Sequence, residues 1–444
     1  MKTFFAIFFI FILLVGGAGY YWMTRYQDTP TEFFSHELMG DLKTLSQLAG
    51  AFMNTGGEER IFLILFQNNM ELRPGGGFIG SFGILKVKDG AITSFTSHDV
   101  VNFDGRIPDT VPAPYPLPET LGVKSLKLRD SNVSPDWSVN AKMAEDFYRM
   151  GRGEESFDGV IGITTNVLTS FLSVVGPVTV PGYPGTYDAE TGVIDLEYQV
   201  EQAFYKQGIA RGERKSIMNL LGNIILEEAK ALPLSGKYAL FRAVLDDLHK
   251  KDIQLSFQDE RLQEIVRAAG WSGEVDQEWK QDYLLAVDSN LNAFKTDFRM
   301  RRKMAYTLDL SGAVPTAQFV MTYEHTATEK DFMTKDYQSF ARLYVPEGSW
   351  LKSVSGNIRP PVYGSELGKK YFGALIHVPL GTTRTLTWNY ALPEDFDKEH
   401  YDLLIEKQPG LNDVPMTVTV IGKEGTTQEK NFVLNRPVKW SEIK

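Results

Sequence analysis

The residues best suited to chemistry lie in a glycine-rich segment, Asn68–Gly83, that follows an apolar run. Arg73 carries a planar fork of donors that suits phosphate. Gly75, Gly76 and Gly77 come soon after it, and a loop of this kind can turn several backbone N–H groups toward one anion. The segment lacks both the Gly-Lys-Ser/Thr ending of a P-loop and the helix that follows a dinucleotide fingerprint. The segment is a candidate anion site, but close backbone packing through its glycines is the favoured interpretation.

Two acidic residues further along suit a divalent cation. Asp99 and Asp104 lie at and just beyond the end of a predicted strand, and Mg²⁺ prefers oxygen ligands of this kind, often shared with a phosphate. Arg106 follows them and adds a further candidate contact to an anion. The Asp104-Gly105 pair fits a plain turn equally well. The sequence therefore leaves a magnesium site and a structural turn open.

A basic segment, Arg211–Lys215, is the third candidate. Arg211 and Arg214 are three residues apart at a predicted helix start, so they can share one face and clamp a diphosphate. A solvated basic surface is the alternative. The six histidines show no ligand spacing, and cysteine is absent. Thiolate zinc sites, cysteine nucleophiles and disulfides are therefore excluded.

Composition narrows the classes of partner. The chain has 444 residues, which corresponds to roughly two or three domains. It carries 46 Lys and Arg against 56 Asp and Glu, so its formal net charge is −10. A nucleic-acid-binding protein usually has a basic footprint, and we therefore expect no nucleic acid among the partners.

The amino terminus predicts export. Thr3–Met23 contains no charged residue, and about 20 apolar residues span a bilayer as a helix. Residues 1–25 are therefore predicted to form a single transmembrane anchor, with the lipid bilayer as a partner and the rest of the chain outside the cytosol. A cleaved signal peptide with Phe4–Val15 as its apolar core is the alternative. Both interpretations export the chain.

The elements that must position the candidate residues fall into three regions. Residues 26–56 read as a helical linker, because leucines recur at helical spacing. Over 57–293 strands and helices alternate, which predicts a layered α/β domain. Over 294–444 the helices stop and short strands recur between turn signals. That pattern predicts an all-β sandwich of about seven or eight strands.

The motif Gln67–Gly83 resembles the hallmark of a bacterial membrane-anchored family with a domain of unknown function, number four thousand and twelve. Other stretches match the same family: Asn132–Trp137, Asp158–Ile163, Gly212–Lys215, Ser289–Lys295, Tyr344–Ser349 and Gln408–Gly410. The resemblance covers most of the chain beyond the anchor. It implies a membrane-anchored, exported protein.

A more distant resemblance is to the LytR-CpsA-Psr phosphotransferases, which attach glycopolymers to the bacterial envelope from polyprenyl-pyrophosphate carriers. Arg73 before a strand hairpin, Asp99 at its end, the run Phe157–Val180 and the pair Arg211-x-x-Arg214 follow that family's order. The resemblance implies an α/β/α domain and Mg-dependent phosphotransfer.

This chain departs from that pattern at four places. The arginines expected in the helix before Arg211 are missing, with only Lys206 nearby. Pro74 replaces the acid expected after the first arginine, His98 replaces an arginine, and Lys215 replaces a glutamine. The sequence therefore favours a non-catalytic envelope protein that binds an anionic component, such as a glycan or a polyprenyl-pyrophosphate lipid. A phosphotransferase and a purely structural or adhesion module are the two alternatives.

Overall fold

The computed structural model describes residues 35–53, 55–210 and 214–442. The predicted anchor, 1–25, lies outside the described residues, as does Arg211. Within the described ranges no helix combines the length and apolar character needed to cross a bilayer. The transmembrane helix therefore stays a prediction.

The chain divides into two compact units, and each is discontinuous in sequence. Among the described residues, the α/β unit comprises 35–53, 55–67, 79–106, 145–210 and 214–273. The β-rich unit comprises 68–78, 107–144 and 274–442.

The α/β unit is built on a five-stranded sheet with strand order β3-β2-β1-β4-β5. Its strands are β1 Arg60–Asn68, β2 Phe78–Lys88, β3 Ala91–Asp99, β4 Gly159–Thr164 and β5 Ile253–Phe257. The central strands β1 and β4 are parallel, whereas β2 with β3 and β4 with β5 are antiparallel pairs. Every residue of β4 is buried, as expected for an apolar strand covered on both faces.

Helices surround this sheet. They are His36–Met53, Val100–Asp104, Trp137–Met150, Asn166–Val175, Gly192–Tyr198, Phe204–Lys206, Ser216–Ala231, Leu234–His249 and Glu260–Ala268. Six of them contribute apolar residues to one core shared with β1, β4 and β5; the other three are Val100–Asp104, Trp137–Met150 and Phe204–Lys206. Local chemistry sets their ends: Asp259 caps the last helix by accepting from two backbone N–H groups, and Gly176, at a φ of 84°, ends Asn166–Val175.

The β-rich unit contains two six-stranded sheets. One has the order β10-β13-β8-β7-β15-β16 and the other β11-β12-β9-β6-β14-β17. The strands are β6 Asp282–Val287, β7 Met300–Asp309, β8 Thr316–His325, β9 Tyr337–Pro346, β10 Trp350–Ser355, β11 Val362–Glu366, β12 Lys369–Val378, β13 Thr383–Ala391, β14 Leu403–Glu406, β15 Val414–Ile421, β16 Thr427–Leu434 and β17 Val438–Lys439. Residues from both sheets form a common apolar core.

An α/β region followed by a sheet-rich region confirms the coarse fold predicted from the sequence. The division between units differs from the predicted boundary at 293 and 294 in two ways. Strand β6 pairs with β9 and β14, so the β-rich unit includes Asp282–Val287. Leu72, far upstream in sequence, is a member of the same β-rich core. Long-range strand pairing of this kind leaves no local composition signal.

Candidate functional site

The guanidinium of Arg73 is enclosed within the β-rich unit, and the residue is only 7% exposed. Its Nη2 pairs with Glu71 Oε1 at 2.7 Å. Its Nη1 donates to the Asn290 carbonyl at 2.8 Å and to the Leu72 carbonyl at 3.3 Å. The donor fork is therefore committed to protein oxygens, and anion binding by Arg73 stays a prediction.

The glycines that follow Arg73 lie in close contact with other backbone. The N–H of Gly75 donates to the Asn132 carbonyl, and the N–H of Gly76 donates to the Arg73 carbonyl. A Cβ on Gly77 would lie 2.4 Å from backbone atoms of Asn68. Gly76 has a φ of 137°, which disfavours other residues. This geometry matches the packing interpretation.

A buried polar network fixes the same loop inside the β-rich unit. Asp297 Oδ2 accepts from the Leu72 N–H at 3.0 Å and from the Asn290 amide at 2.8 Å. The Gln408 amide donates to the Arg73 carbonyl at 3.0 Å. Asn290 and Gln408 belong to stretches that matched the family, so the resemblance marked them. Asp297 had no sequence signal, because its role depends on partners distant in the chain.

The carboxylate of Asp99 lies within the α/β unit, at the end of β3. Its Oδ1 accepts from the Val101 N–H at 2.9 Å, so it caps the short helix Val100–Asp104. Its Oδ2 is 2.5 Å from Lys215 Nζ, and that ammonium also donates to the Gly80 carbonyl at 3.0 Å. Both charged side chains are 27% exposed. The pairing joins β2, β3 and the segment before Ser216.

Electrostatics keep Asp99 ionised. Partial burial opposes its charge, but the hydrogen bond and charge of Lys215, the Val101 N–H and the charge of Arg214 outweigh that effect and lower its pKa. Arg214 acts on Asp99 while its Nη1 pairs with Glu201 Oε2 at 2.9 Å. We call Asp99, Glu201, Arg214 and Lys215 the acid–base cluster.

A π-helical turn, Gln199–Ala203, carries Glu201 of this cluster. The turn is followed by a reciprocal amide pair, in which Gln199 and Gln207 each donate to the other at 2.7 and 2.8 Å. Such turns are rare and occur frequently at functional sites. Glu201 was not a candidate in the sequence, because nothing in the local pattern predicts the extra residue of a π turn.

The remaining candidates lie close by in the chain. Asp104 is buried in the short helix, and the guanidinium of Arg106 stacks on the Phe103 ring with its carbon 5.5 Å from the ring centroid. No group of three or more His, Asp or Glu residues suited to a metal ion occurs in the described part of the chain. Magnesium binding by Asp99 and Asp104 stays a prediction.

His98, next to Asp99, is held by an aromatic contact. Its ring stacks on Phe82 with centroids 5.0 Å apart. Burial lowers the pKa of His98, and the charge of Arg106 lowers it further, against the opposing effect of Glu155. We therefore expect a neutral imidazole here at neutral pH, which adds no cation to the site.

Residues 57–200 match the family model described as a protein of unknown function, DUF4012. Over these residues the chain matches the DUF4012 family. The predicted family is thereby confirmed over the segment that carries the glycine-rich motif and Asp99. The acid–base cluster lies partly beyond it, since Glu201, Arg214 and Lys215 follow residue 200. No curated protein matches the chain.

Similar solved structures include the Lin1025 protein of Listeria innocua, at 13% identity and a TM-score of 0.25, covering 52% of this chain and 86% of that one. Others are a Legionella pneumophila aminopeptidase A bound to aspartic acid (14%, 0.18, covering 28% and 16%) and a Deinococcus radiodurans M1 zinc metallopeptidase (13%, 0.17, covering 27% and 32%). The matches span less than half of each peptidase. At such TM-scores these likenesses carry no argument about fold or activity.

Proposed function

We propose that this chain is an exported, membrane-anchored envelope protein that binds an anionic, phosphate-bearing component through its α/β unit. We further propose that this DUF4012-containing unit has the LytR-CpsA-Psr type of α/β/α layering. The observation that carries the binding proposal is the pair of cations in the acid–base cluster, Arg214 and Lys215. Their side chains are 22% and 27% exposed, so a ligand can reach them.

Two features of these cations support phosphate as the ligand. Each is held by one carboxylate, Glu201 for Arg214 and Asp99 for Lys215. Phosphate oxygens match the same donors, and an arginine fork can bind them through two parallel hydrogen bonds. Arg211, predicted from the sequence to act with Arg214, is only three residues away in the chain. The enclosed Arg73 is not needed for this site.

A binding role is favoured over phosphotransfer by the state of Asp99. Its two carboxylate oxygens already accept from the Val101 N–H and pair with Lys215. A carboxylate that serves as a magnesium ligand has to direct an oxygen to the metal instead. The phosphotransferase alternative thus requires Lys215 to leave Asp99, whereas anion binding requires only that a ligand joins the existing cations.

Binding is tested with the purified chain and two sets of vesicles that differ only in a polyprenyl pyrophosphate. Lys215→Met and Arg214→Met should each weaken binding by about 10- to 150-fold, because each removes a charge-assisted hydrogen bond. Lys230→Met is the matched control, since Lys230 lies on the surface in a pair with Glu227. Unchanged affinity in both variants would refute the site.

Export is tested separately by fusing a reporter that is active only outside the cytosol to the carboxyl terminus. A fusion that starts at residue 26 serves as the control without the apolar segment. We expect reporter activity from the full chain alone. Absence of reporter activity from the full-chain fusion, with the fusion protein present in the cells, would contradict the proposed localisation.

A purely structural role for the glycine-rich loop is the second candidate function. It is favoured by the hydrogen bonds that occupy both terminal nitrogens of Arg73. On this proposal the loop stabilises the β-rich unit and contributes nothing to the ligand. The Arg73 substitution described in the Discussion tests it.

A further inference from the structure

A buried acidic corner lies in the α/β unit where the helix Leu234–His249 ends and β5 begins. Asp247 and Asp252, at the two ends of this corner, are 2% and 3% exposed. The backbone N–H of Asp252 donates to the Asp247 carbonyl at 2.8 Å. The turn therefore holds the two acids together inside the protein.

The two carboxyl groups receive unequal hydrogen bonds. Asp252 Oδ1 accepts from the Thr164 hydroxyl at 2.8 Å and from the Asn166 amide at 3.0 Å. Asp247 Oδ1 accepts from the Ser170 hydroxyl at 2.8 Å. Its Oδ2 is buried and has no hydrogen-bond partner in the described structure. Donors stabilise an ionised carboxylate, so Asp252 is the better anion and Asp247 the better acid.

Burial and two neighbouring carboxylates also favour the protonated form of Asp247. Burial raises the pKa of Asp247 well above its usual value, and the charges of Asp252 and Asp246 raise it further. The Ser170 hydrogen bond and the charge of Lys250 oppose these effects. Lys250 is itself paired with Asp246 at 2.7 Å, which limits its influence on the corner.

Two further ionisable residues, Lys251 and His249, lie near the corner in the chain. Lys251 lies between the two acids in sequence and is buried. His249 faces Asp41 of the helix His36–Met53, with 3.1 Å between Nε2 and Oδ1. The helix Asn166–Val175, which packs against the corner, offers neutral donors, Asn166 and Ser170.

We propose that Asp247 is held as a neutral acid beside the ionised Asp252, and that loss of its proton weakens the α/β unit as the pH rises. Deprotonation would place a second negative charge on an oxygen that no donor solvates. The corner links the helices Leu234–His249 and Asn166–Val175 through Ser170 and Asp247. The pair thus acts as a pH-sensitive contact between two helices and the end of β4.

Proton linkage gives the direction in which the stability of the folded chain changes with pH. An acid whose pKa is raised by folding contributes stability that is fully present below its unfolded pKa of about 3.9 and is lost as the pH rises toward the folded pKa. The Asp247→Asn variant keeps the acceptor for Ser170 and cannot ionise. In the full chain, we expect its melting temperature to exceed that of the wild type by about 5 °C or more near pH 9. The difference should vanish near pH 4.

Glu264→Gln is the matched control, because Glu264 lies on the surface of the same unit in its pair with Arg267. Its difference from the wild type should not grow between about pH 4 and pH 9. At about pH 6, well above the pKa of an ordinary aspartic acid, infrared difference spectra of wild type minus Asp247→Asn should also contain a protonated carboxyl band. A stability difference that does not change with pH, or the absence of that band, would overturn the neutral state of Asp247.

Discussion

At the residue scale, the buried guanidinium of Arg73 joins a carboxylate, Glu71, to the carbonyls of Leu72 and Asn290. Removing one partner of a buried pair leaves the other charge without compensation, which usually costs about 3–5 kcal/mol. We expect Arg73→Ala to lower the free energy of unfolding by that amount, measured by urea denaturation followed by circular dichroism.

Arg301→Ala is the control for this substitution, since Arg301 is an exposed arginine of the same unit and should change stability by less than about 0.5 kcal/mol. Arg73→Lys should fall between the two, because a single ammonium cannot reproduce a planar fork. If Arg73→Ala were as stable as the control but lost binding to pyrophosphate vesicles, Arg73 would be a ligand residue after all.

A second residue, Asp282, has an environment that sequence patterns do not reveal. Its Oδ2 accepts from the Tyr306 hydroxyl at 2.7 Å and from the Tyr401 hydroxyl at 3.2 Å. Burial raises its pKa to about 7, although the hydrogen bonds of Tyr306, the Tyr283 N–H and Tyr401 favour the charged form. The carboxyl group is therefore protonated in the folded chain at acid pH.

Because folding raises this pKa, Asp282 contributes stability at low pH that is lost between about pH 4 and pH 7, at up to about 1.4 kcal/mol per pH unit. We expect the wild-type stability to fall relative to Asp282→Asn across this window, as measured by denaturant unfolding at several pH values. Asp309→Asn is the control, because hydrogen bonds to Ser311 lower the pKa of Asp309 and confine its effect to more acid solutions. Parallel curves for wild type and Asp282→Asn would show that Asp282 does not titrate in this window.

At the element scale, the glycine-rich loop and the start of β2 contain two glycines that differ in whether the structure has room for a Cβ atom. A Cβ at Gly77 would lie 2.4 Å from the Asn68 backbone, whereas a Cβ at Gly80 would meet nothing within 4 Å. Backbone cannot move away as a flexible side chain can, so overpacking here costs about 1–3 kcal/mol or more.

We therefore expect Gly77→Ala to lower the melting temperature by several degrees and Gly80→Ala to leave it nearly unchanged, by differential scanning calorimetry. Both substitutions add one methyl group to a glycine, and the two positions are three residues apart in the chain. Equal effects of the two substitutions would contradict the packing role of the loop, and a loss of ligand binding in Gly77→Ala without a loss of stability would favour the anion role.

At the scale of the whole molecule, the β-rich unit depends on segments from three parts of the chain. Leu72 contributes to its apolar core, and Asp136 Oδ2 accepts from the Val275 N–H at 2.9 Å. A fragment of residues 274–442 lacks both contributions. It would expose apolar core and leave buried polar groups such as Asp297 without their upstream donors.

We expect that fragment to show no cooperative unfolding transition and poor dispersion in its amide NMR spectrum. The control is the chain from residue 35 onward, which contains every described segment of the β-rich unit and should unfold cooperatively. A fragment that melts in one sharp transition near the temperature of the control would show that the upstream segments are dispensable.

Local patterns were sufficient to predict several features of this protein. The apolar run Ile61–Phe66 and the turn signals between the later strands predicted the order of strands and helices, because burial and turn chemistry act over a few residues. The resemblance of the glycine-rich motif gave the DUF4012 family, and the same reasoning from local patterns placed that motif directly after a strand. It also gave Asp99 as a strand-end acid and Arg214 as a cation near a helix start.

Only the tertiary structure decided which of these residues meet. The guanidinium of Arg73 is enclosed by Glu71 and Asn290, Asp99 pairs with Lys215, and Asp247 shares a corner with Asp252. Two of these contacts, Arg73 with Asn290 and Asp99 with Lys215, join residues far apart in the chain, so no local pattern encodes them. Hydrogen-bonding and charge effects depend on distance and burial, which the chain acquires only when its segments pack together.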